Sequence, residues 1–236
     1  MAGPLIVIDG PAGAGKSTVA RTVAGRIGAA LLDTGAIYRS LAWLASQRGV
    51  DWEDAERLAA LAQDLRIEFE PSIGDAGQRV LIVAPIEGDE PLEITHEIRA
   101  PAISEGASKV SAHPPVRAAF LDTQRAIAAR AVTAGGCVAE GRDMGTVVFP
   151  DARHKFFLTA SSRTRAQRRH LELSAKGEST TPEQVEAEMQ ERDQRDSSRE
   201  TSPLQQAPDA VLVDSSALDV EQVVDLILGH VQSRSA

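Results

Sequence analysis

At 236 residues, 42% of them hydrophobic and 25% charged, the chain has the make-up of a soluble globular protein with room for one sizeable core or a core carrying small inserted lobes. Its net charge of -9 argues against a bulk electrostatic partner such as duplex nucleic acid, so any bound anion must be gripped locally. No apolar run approaches the roughly 18 residues of a membrane span, and the N-terminal apolar run is too short, and lacks the basic flank, for a secretory signal.

One cysteine, Cys137, cannot form an intramolecular disulfide and sits in an apolar run, where a small buried thiol is expected. A cytoplasmic protein is the expectation.

In chain order, the apolar run Leu5–Asp9 reads as a strand, the glycine-rich GPAGAGKST (Gly10 to Thr18) as a loop, and Lys16 to about Gly28 as a helix. A short strand near Ala30 to Leu32 and a helix through AIYRSLAWLAS follow, the β-α-β-α rhythm of a parallel sheet. From about 66 to 92, RIEFE, QRVLIVA and EPLEI are separated by the turns PSIGDAGQ and PIEGDE, which predicts an antiparallel insertion. Cys137 to Glu140, Lys155 to Thr159 and Ala210 to Asp214 complete a five-stranded sheet, and LDVEQVVDLILGHV closes the chain as a helix. The stretch 161–200 is polar and helical in pattern. Residues 153–199 hold 10 Lys plus Arg against 8 Asp plus Glu, so this stretch is +2 while the remaining chain carries -11.

The loop has the G-x-x-x-x-G-K-[ST] spacing that wraps a phosphate. Backbone N–H groups and a helix N-terminus face the anion, Lys16 reaches the β- and γ-phosphates of a nucleoside triphosphate, and the Ser17 hydroxyl ligates Mg²⁺. Gly10, Pro11, Ala12, Gly13, Ala14, Gly15, Lys16, Ser17 and Thr18 form this nucleotide-binding set. The loop is shared by kinases, motors and switches. A guanine-reading switch would carry N-K-x-D, and the chain has no asparagine.

A helix through TTPEQVEAEMQERDQRDSSRE has Thr181 as a plausible N-cap and Pro182 at its first position. Its stripe runs from Val185 and Met189 into Arg192, Arg195, Asp196 and Arg199, so it faces either something polar or, as a salt-bridged surface, solvent. The same two readings apply to Arg163, Arg165, Arg168 and Arg169. GRDMG follows an apolar strand, so Arg142 and Asp143 belong to the same sheet edge as Lys16, either at a ligand site or as a turn pair. Asp33 and Thr34 end the second strand on that edge, with Tyr38 and Arg39 a helical turn beyond.

GPAGAGKST, LLDTGAIYRSLA, AEGRDMGTVVFPDA and ERDQRDSSR, in that order, resemble the bacterial cytidylate kinases, the CMP/dCMP kinases of the nucleoside monophosphate kinase group, over nearly the whole chain. The resemblance implies a P-loop α/β/α core of three layers around a five-stranded parallel sheet, over 1–40, 101–160 and 201–236. It further implies a monophosphate-binding lobe over 41–100, with the antiparallel insertion at about 66–92, and a helical lid over 161–200. It implies that Thr34, Ser108, Arg117 and Asp143 recognise the cytosine or hold the lobe around it. Arg39, Arg142 and Arg199 would contact the CMP phosphate and its neighbours, Arg192 would bridge donor and acceptor phosphates, and Asp196 would accept the ribose hydroxyl. Arg165 and Arg168 are the two candidates for stacking on adenine. By pattern alone, Arg117 reads as a surface arginine.

Two positions depart from the family: Thr34 stands where some members have serine, and Glu140 where some have aspartate. The expected activity is transfer of the γ-phosphoryl group of Mg-ATP to CMP or dCMP by a monomer, with Lys16, Arg142, Arg192 and Arg199 stabilising the transferring group. The competing classes are another P-loop small-molecule kinase with a UMP, AMP or hydroxy-acid acceptor, and a regulatory nucleotide-binding protein.

Overall fold

The computed structural model describes residues 2–70, 78–83, 90–175 and 177–234; the expected turns PSIGDAGQ and PIEGDE lie largely outside them. Eight strands and eight α-helices are present among the described residues. The larger sheet contains β1 (Leu5–Asp9), β2 (Ala30–Asp33), β6 (Cys137–Gly141), β7 (His154–Thr159) and β8 (Val211–Asp214), in the order β2-β6-β1-β7-β8. The pairings of β1 with β6, β1 with β7 and β7 with β8 are parallel. Central strands of a sheet covered on both faces read as unbroken apolar runs rather than alternating ones, which is why LIVID and CVAEG are buried nearly throughout. The five expected strands are all found, with boundaries shifted by no more than a residue at each end.

The chain divides into two compact units, residues 1–31 with 130–236, and residues 32–129. In the first, α1 (Lys16–Ile27) and α8 (Val220–Ser233) bury Val19, Val23, Val224 and Ile227 against Ile6, Ile8, Val138, Phe156 and Leu158 of the sheet. Cys137 belongs to this interior, and burial pushes its thiol up to about 12, so it is an inert core residue. The polar stretch resolves into α6 (Ser162–Ala175) and α7 (Pro182–Ser197). Thr181 and Gln184 form a reciprocal capping box that starts α7, with Pro182 just inside. Ala166, Leu173, Val185 and Met189 make a small core between these helices, and Ala12 of the glycine loop packs against it. Leu173, Val185 and Met189 each contribute about 2 kcal/mol when fully buried, so this core is small and the polar links of α6 and α7 add to it.

The second unit holds α2 (Thr34–Gln47), α3 (Ala55–Asp64), α4 (Pro101–Val110), most of α5 (Pro114–Ala134) and an antiparallel sheet of β3 (Arg66–Glu70), β4 (Arg79–Val83) and β5 (Leu92–Glu93). This sheet is the expected insertion. Ile67, Val80 and Ile82 are buried, while on the opposite face Arg79 bridges Glu70 and Glu93 across the strands. The sequence pattern singled out neither α3 nor α4; only Leu58 and Ala62 of α3 are buried, too thin a stripe to announce a helix. Trp52 is held firmly: its Nε1 donates to the Ala42 carbonyl (3.0 Å), its own carbonyl accepts from His113 Nε2 (2.8 Å), and its ring lies so close to Gly106 that a Cβ there would collide with it.

Candidate active site

The glycine loop leaves β1 and opens α1. Gly10 is required by contact, since a Cβ would strike the Leu158 carbonyl oxygen on the neighbouring strand, and Gly13 by its backbone, which has φ 71°. Helices α2, α3, α7 and α8 are all capped by side chains, from Asp33, Asp54, Thr181 and Asp219. The α1 cap is Gly15, with no side-chain hydrogen bond and no acidic residue in the first turn. Its leading N–H groups therefore have no built-in acceptor and are available to an anion. Lys16 is buried and donates to the Pro11 carbonyl (2.8 Å). Burial and the Arg142 charge pull its pKa down to about 7, with Glu140 and Asp9 acting against them. Ser17 and Thr18 are exposed.

Asp9, the last residue of β1, fastens the next loop. Its two carboxylate oxygens accept from Met144 N (2.9 Å) and Gly145 N (2.7 Å), drawing GRDMG and the π-helical turn Met144–Val148 to the end of β1. Burial raises Asp9 to about 6 despite these bonds. Asp143 is buried at the start of that turn.

Three arginines converge on Asp196, which is 1% exposed. Arg142 Nε donates to Oδ2 (3.0 Å), Arg199 Nη2 to Oδ1 (2.5 Å), and Arg192 Nε lies 4.0 Å from Oδ2. Burial works to raise the Asp196 pKa, but the charges of Arg142, Arg199 and Arg192 outweigh it and hold the carboxyl below its usual range. Three guanidiniums around one carboxylate leave an excess of positive charge in the cluster, with Arg142 and Arg192 also acting on Lys16. The polar-facing reading holds for Arg192 and Asp196 on α7 and for Arg199 just past its end. Arg195 is half-buried and pairs with Glu191 one turn back.

The α6 arginines do something different. Arg165 is buried and donates to the Ala160 carbonyl (3.1 Å), the Ala12 carbonyl (2.9 Å) and Asp193 Oδ2 (2.5 Å). Arg168 donates to the Ser215 hydroxyl (3.0 Å) and carbonyl (2.7 Å), while the Ser215 hydroxyl reaches the Ala14 carbonyl (3.4 Å). Both brace the backbone of, or next to, the glycine loop. Arg163 is exposed, and Arg169 pairs with Glu172.

The remaining expected residues belong to the second unit. Thr34 opens α2 and is buried; Arg39 donates to Asp33 Oδ2 (2.7 Å), and its Nε is buried without a hydrogen-bond partner. Ser108 is buried on α4. Arg117 on α5 is buried, not on the surface: it donates to the Ser111 carbonyl (3.1 Å) and lies 5.5 Å over the Tyr38 ring. Tyr38 also meets Phe120 edge-to-face at 5.6 Å, and its hydroxyl accepts from Gln124 Nε2 (3.4 Å). Arg117, Phe120 and Gln124, at i, i+3 and i+7, thus line Tyr38 with one stripe of α5.

Sequence reasoning missed Asp9, Gln124 and Asp193. Asp193 had a signal: it is the i+4 continuation of Val185 and Met189, so the stripe that reaches Asp196 passes through it.

Residues 6–233 match the family model described as cytidylate kinase. The chain is 48% identical over 227 residues to a cytidylate kinase of Pseudomonas aeruginosa (strain LESB58), covering 96% of this chain and 94% of that one. It is 46% identical over 233 residues to a bifunctional pantoate ligase/cytidylate kinase of Synechococcus sp. (strain CC9605), covering 98% of this chain and 46% of that longer one. Among solved structures, an uncharacterized protein from Eubacterium ventriosum ATCC 27560 shares the fold, with a TM-score of 0.50 at 12% identity over 98% of this chain and 99% of that one. A phosphate loop backed by convergent arginines, and a family match over nearly the full length, lead to one conclusion: the chain belongs to the cytidylate kinase family.

Proposed function

We propose that the chain transfers the γ-phosphoryl group of ATP to CMP or dCMP, with the first unit handling the phosphates and Thr34, Arg39, Ser108 and Arg117 of the second recognising the nucleoside monophosphate. An oxygen of the acceptor phosphate attacks the γ-phosphorus, the bond to the β-phosphate oxygen breaks, and ADP and CDP or dCDP leave. The attacking oxygen is already anionic, so no general base is needed, unlike a hydroxyl acceptor. The work is alignment and charge compensation.

The observation that carries the reading is the set of three arginines on Asp196 in the same unit as an uncapped phosphate-loop helix. Lys16 leaves the Pro11 carbonyl for the β- and γ-phosphates. Arg192 spans donor and acceptor, Arg142 and Arg199 meet the acceptor phosphate, and Asp196 holds them until the ribose hydroxyl competes for it. Asp143 helps to hold the cytosine. Gly10 to Thr18 wrap the triphosphate, with Arg165 and Arg168 bracing that loop, and α6 with α7 act as the lid over a core of 1–40, 101–160 and 201–236 and a monophosphate lobe of 41–100.

The exposed Ser17 hydroxyl is a hard oxygen donor suited to Mg²⁺ carried in on the triphosphate, where the ion would neutralise phosphate charge. The enzyme works as a cytoplasmic monomer on free nucleotides; among the described residues no helix is long and apolar enough to cross a membrane.

ADP release measured with Mg-ATP against CMP, dCMP, UMP, AMP, GMP and no acceptor tests the reading. CMP and dCMP should dominate; equal release with and without acceptor would refute it.

A further inference from the structure

Asp193 follows Arg192 on α7, one turn before Asp196, but its carboxylate is engaged elsewhere. One carboxylate oxygen accepts from the Ala12 N–H of the glycine loop (3.3 Å), and the other pairs with Arg165 (2.5 Å), whose same nitrogen donates to the Ala12 carbonyl (2.9 Å). Both groups of the Ala12 peptide flank are thus held by one ion pair, whose side chains are 9% and 20% exposed. Met189, one turn earlier on α7, packs at Gly13, and Ala12 itself packs on the small α6–α7 core.

We infer that the Arg165–Asp193 pair is a clasp that docks α7 on the phosphate loop, making Asp193 a positioning residue for Arg192, Asp196 and Arg199. The inference rests on reading the loop as an ATP site.

The pair has an electrical consequence as well as a mechanical one. A carboxylate beside a loop that receives a triphosphate repels the ligand unless it is neutralised, and Arg165 neutralises it. Removing Arg165 alone leaves a bare negative charge on the loop; removing both residues leaves none. A purely structural tie predicts that the double variant is at least as damaged as either single one, whereas the clasp predicts partial recovery.

The test measures ATP affinity by calorimetry without acceptor, and kcat with CMP, for Arg165→Ala, Asp193→Ala, Asp193→Asn and Arg165→Ala/Asp193→Ala in the full chain. Arg165→Ala should weaken ATP binding by about tenfold to a hundredfold, and the double variant should regain at least about threefold of that. Asp193→Ala should lower kcat by at least about tenfold while leaving ATP affinity within about threefold of wild type. Asp193→Asn keeps an acceptor for Ala12 N–H without the charge, so it should bind ATP as well as Asp193→Ala and retain more turnover, even if the alanine variant folds poorly. A double variant that binds ATP no better than Arg165→Ala, or an Asp193→Ala kcat close to wild type, would overturn the clasp. Because ATP binding is read without acceptor, a wild type that ignores CMP would refute the acceptor assignment and leave the clasp standing.

Discussion

The two units use buried polar groups in opposite ways. In the first, charge is buried against charge: Lys16, Asp9, Glu140, Asp143, Arg165 and Asp196 are all nearly inaccessible, and the pKa values of Lys16, Asp9 and Asp196 are displaced. In the second, Thr34, Ser40, Ser108, Arg117 and Gln124 are buried on α2, α4 and α5 among apolar residues that include Ile37, Leu41, Val116 and Phe120. Buried networks of charge suit a ligand that brings charge; donors and acceptors set among apolar side chains suit a ligand that must be told from its near relatives. Variants in the first unit, Asp143 apart, should therefore change turnover, and variants in the second should change choice.

The largest effect is expected for Arg192→Ala, which should cut kcat by about 10³–10⁵ with the CMP-to-UMP ratio unmoved in steady-state kinetics; a loss below about tenfold would remove Arg192 from the reaction. Phe120→Ala, which strips the edge contact from Tyr38, should cost about 3–5 kcal/mol of stability, read from denaturant unfolding. Ser108→Ala and Arg117→Ala should lower the preference for CMP over UMP by about tenfold to a hundredfold, with smaller changes in kcat at saturating CMP. A turnover loss at constant preference would erase the distinction between the units.

The smallest effect concerns pH. Asp9 titrates near 6 in the folded protein against an ordinary 3.8, so the native state holds this proton more tightly than the unfolded chain does. Its contribution favours folding below about pH 4 and is lost as pH rises through about 6. Asp196 is shifted downward, so its contribution is present above about pH 4 and lost as pH falls below that. Asp9→Asn, which cannot titrate, should flatten the fall in Tm between about pH 4 and 6.

Legibility in the sequence followed how locally each feature is determined. Strand β1, the glycine loop and α1 are written in consecutive residues and were readable, as was the N-cap at Thr181. Arg195 and Arg199 look alike on a helical wheel, yet α7 ends at Ser197, so Arg195 pairs back to Glu191 while Arg199, past the helix end, turns its side chain onto Asp196. Asp9 was unreadable as an anchor because its partners, the N–H groups of Met144 and Gly145, are 135 and 136 residues away and carry no side-chain signature. Arg117 needed Tyr38 beneath it to become a buried residue, and no spacing rule connects the two.

Trp52 gives the molecule an optical asymmetry. The chain has two tryptophans, Trp43 and Trp52, and both fall within residues 32–129. Intrinsic tryptophan emission therefore originates in the half assigned to the acceptor, and Trp52, fixed between Ala42 and His113, gives that emission a rigid source. Comparing its melting curve with that of far-ultraviolet circular dichroism, which samples every helix, would report without any label whether the two halves unfold together or in turn.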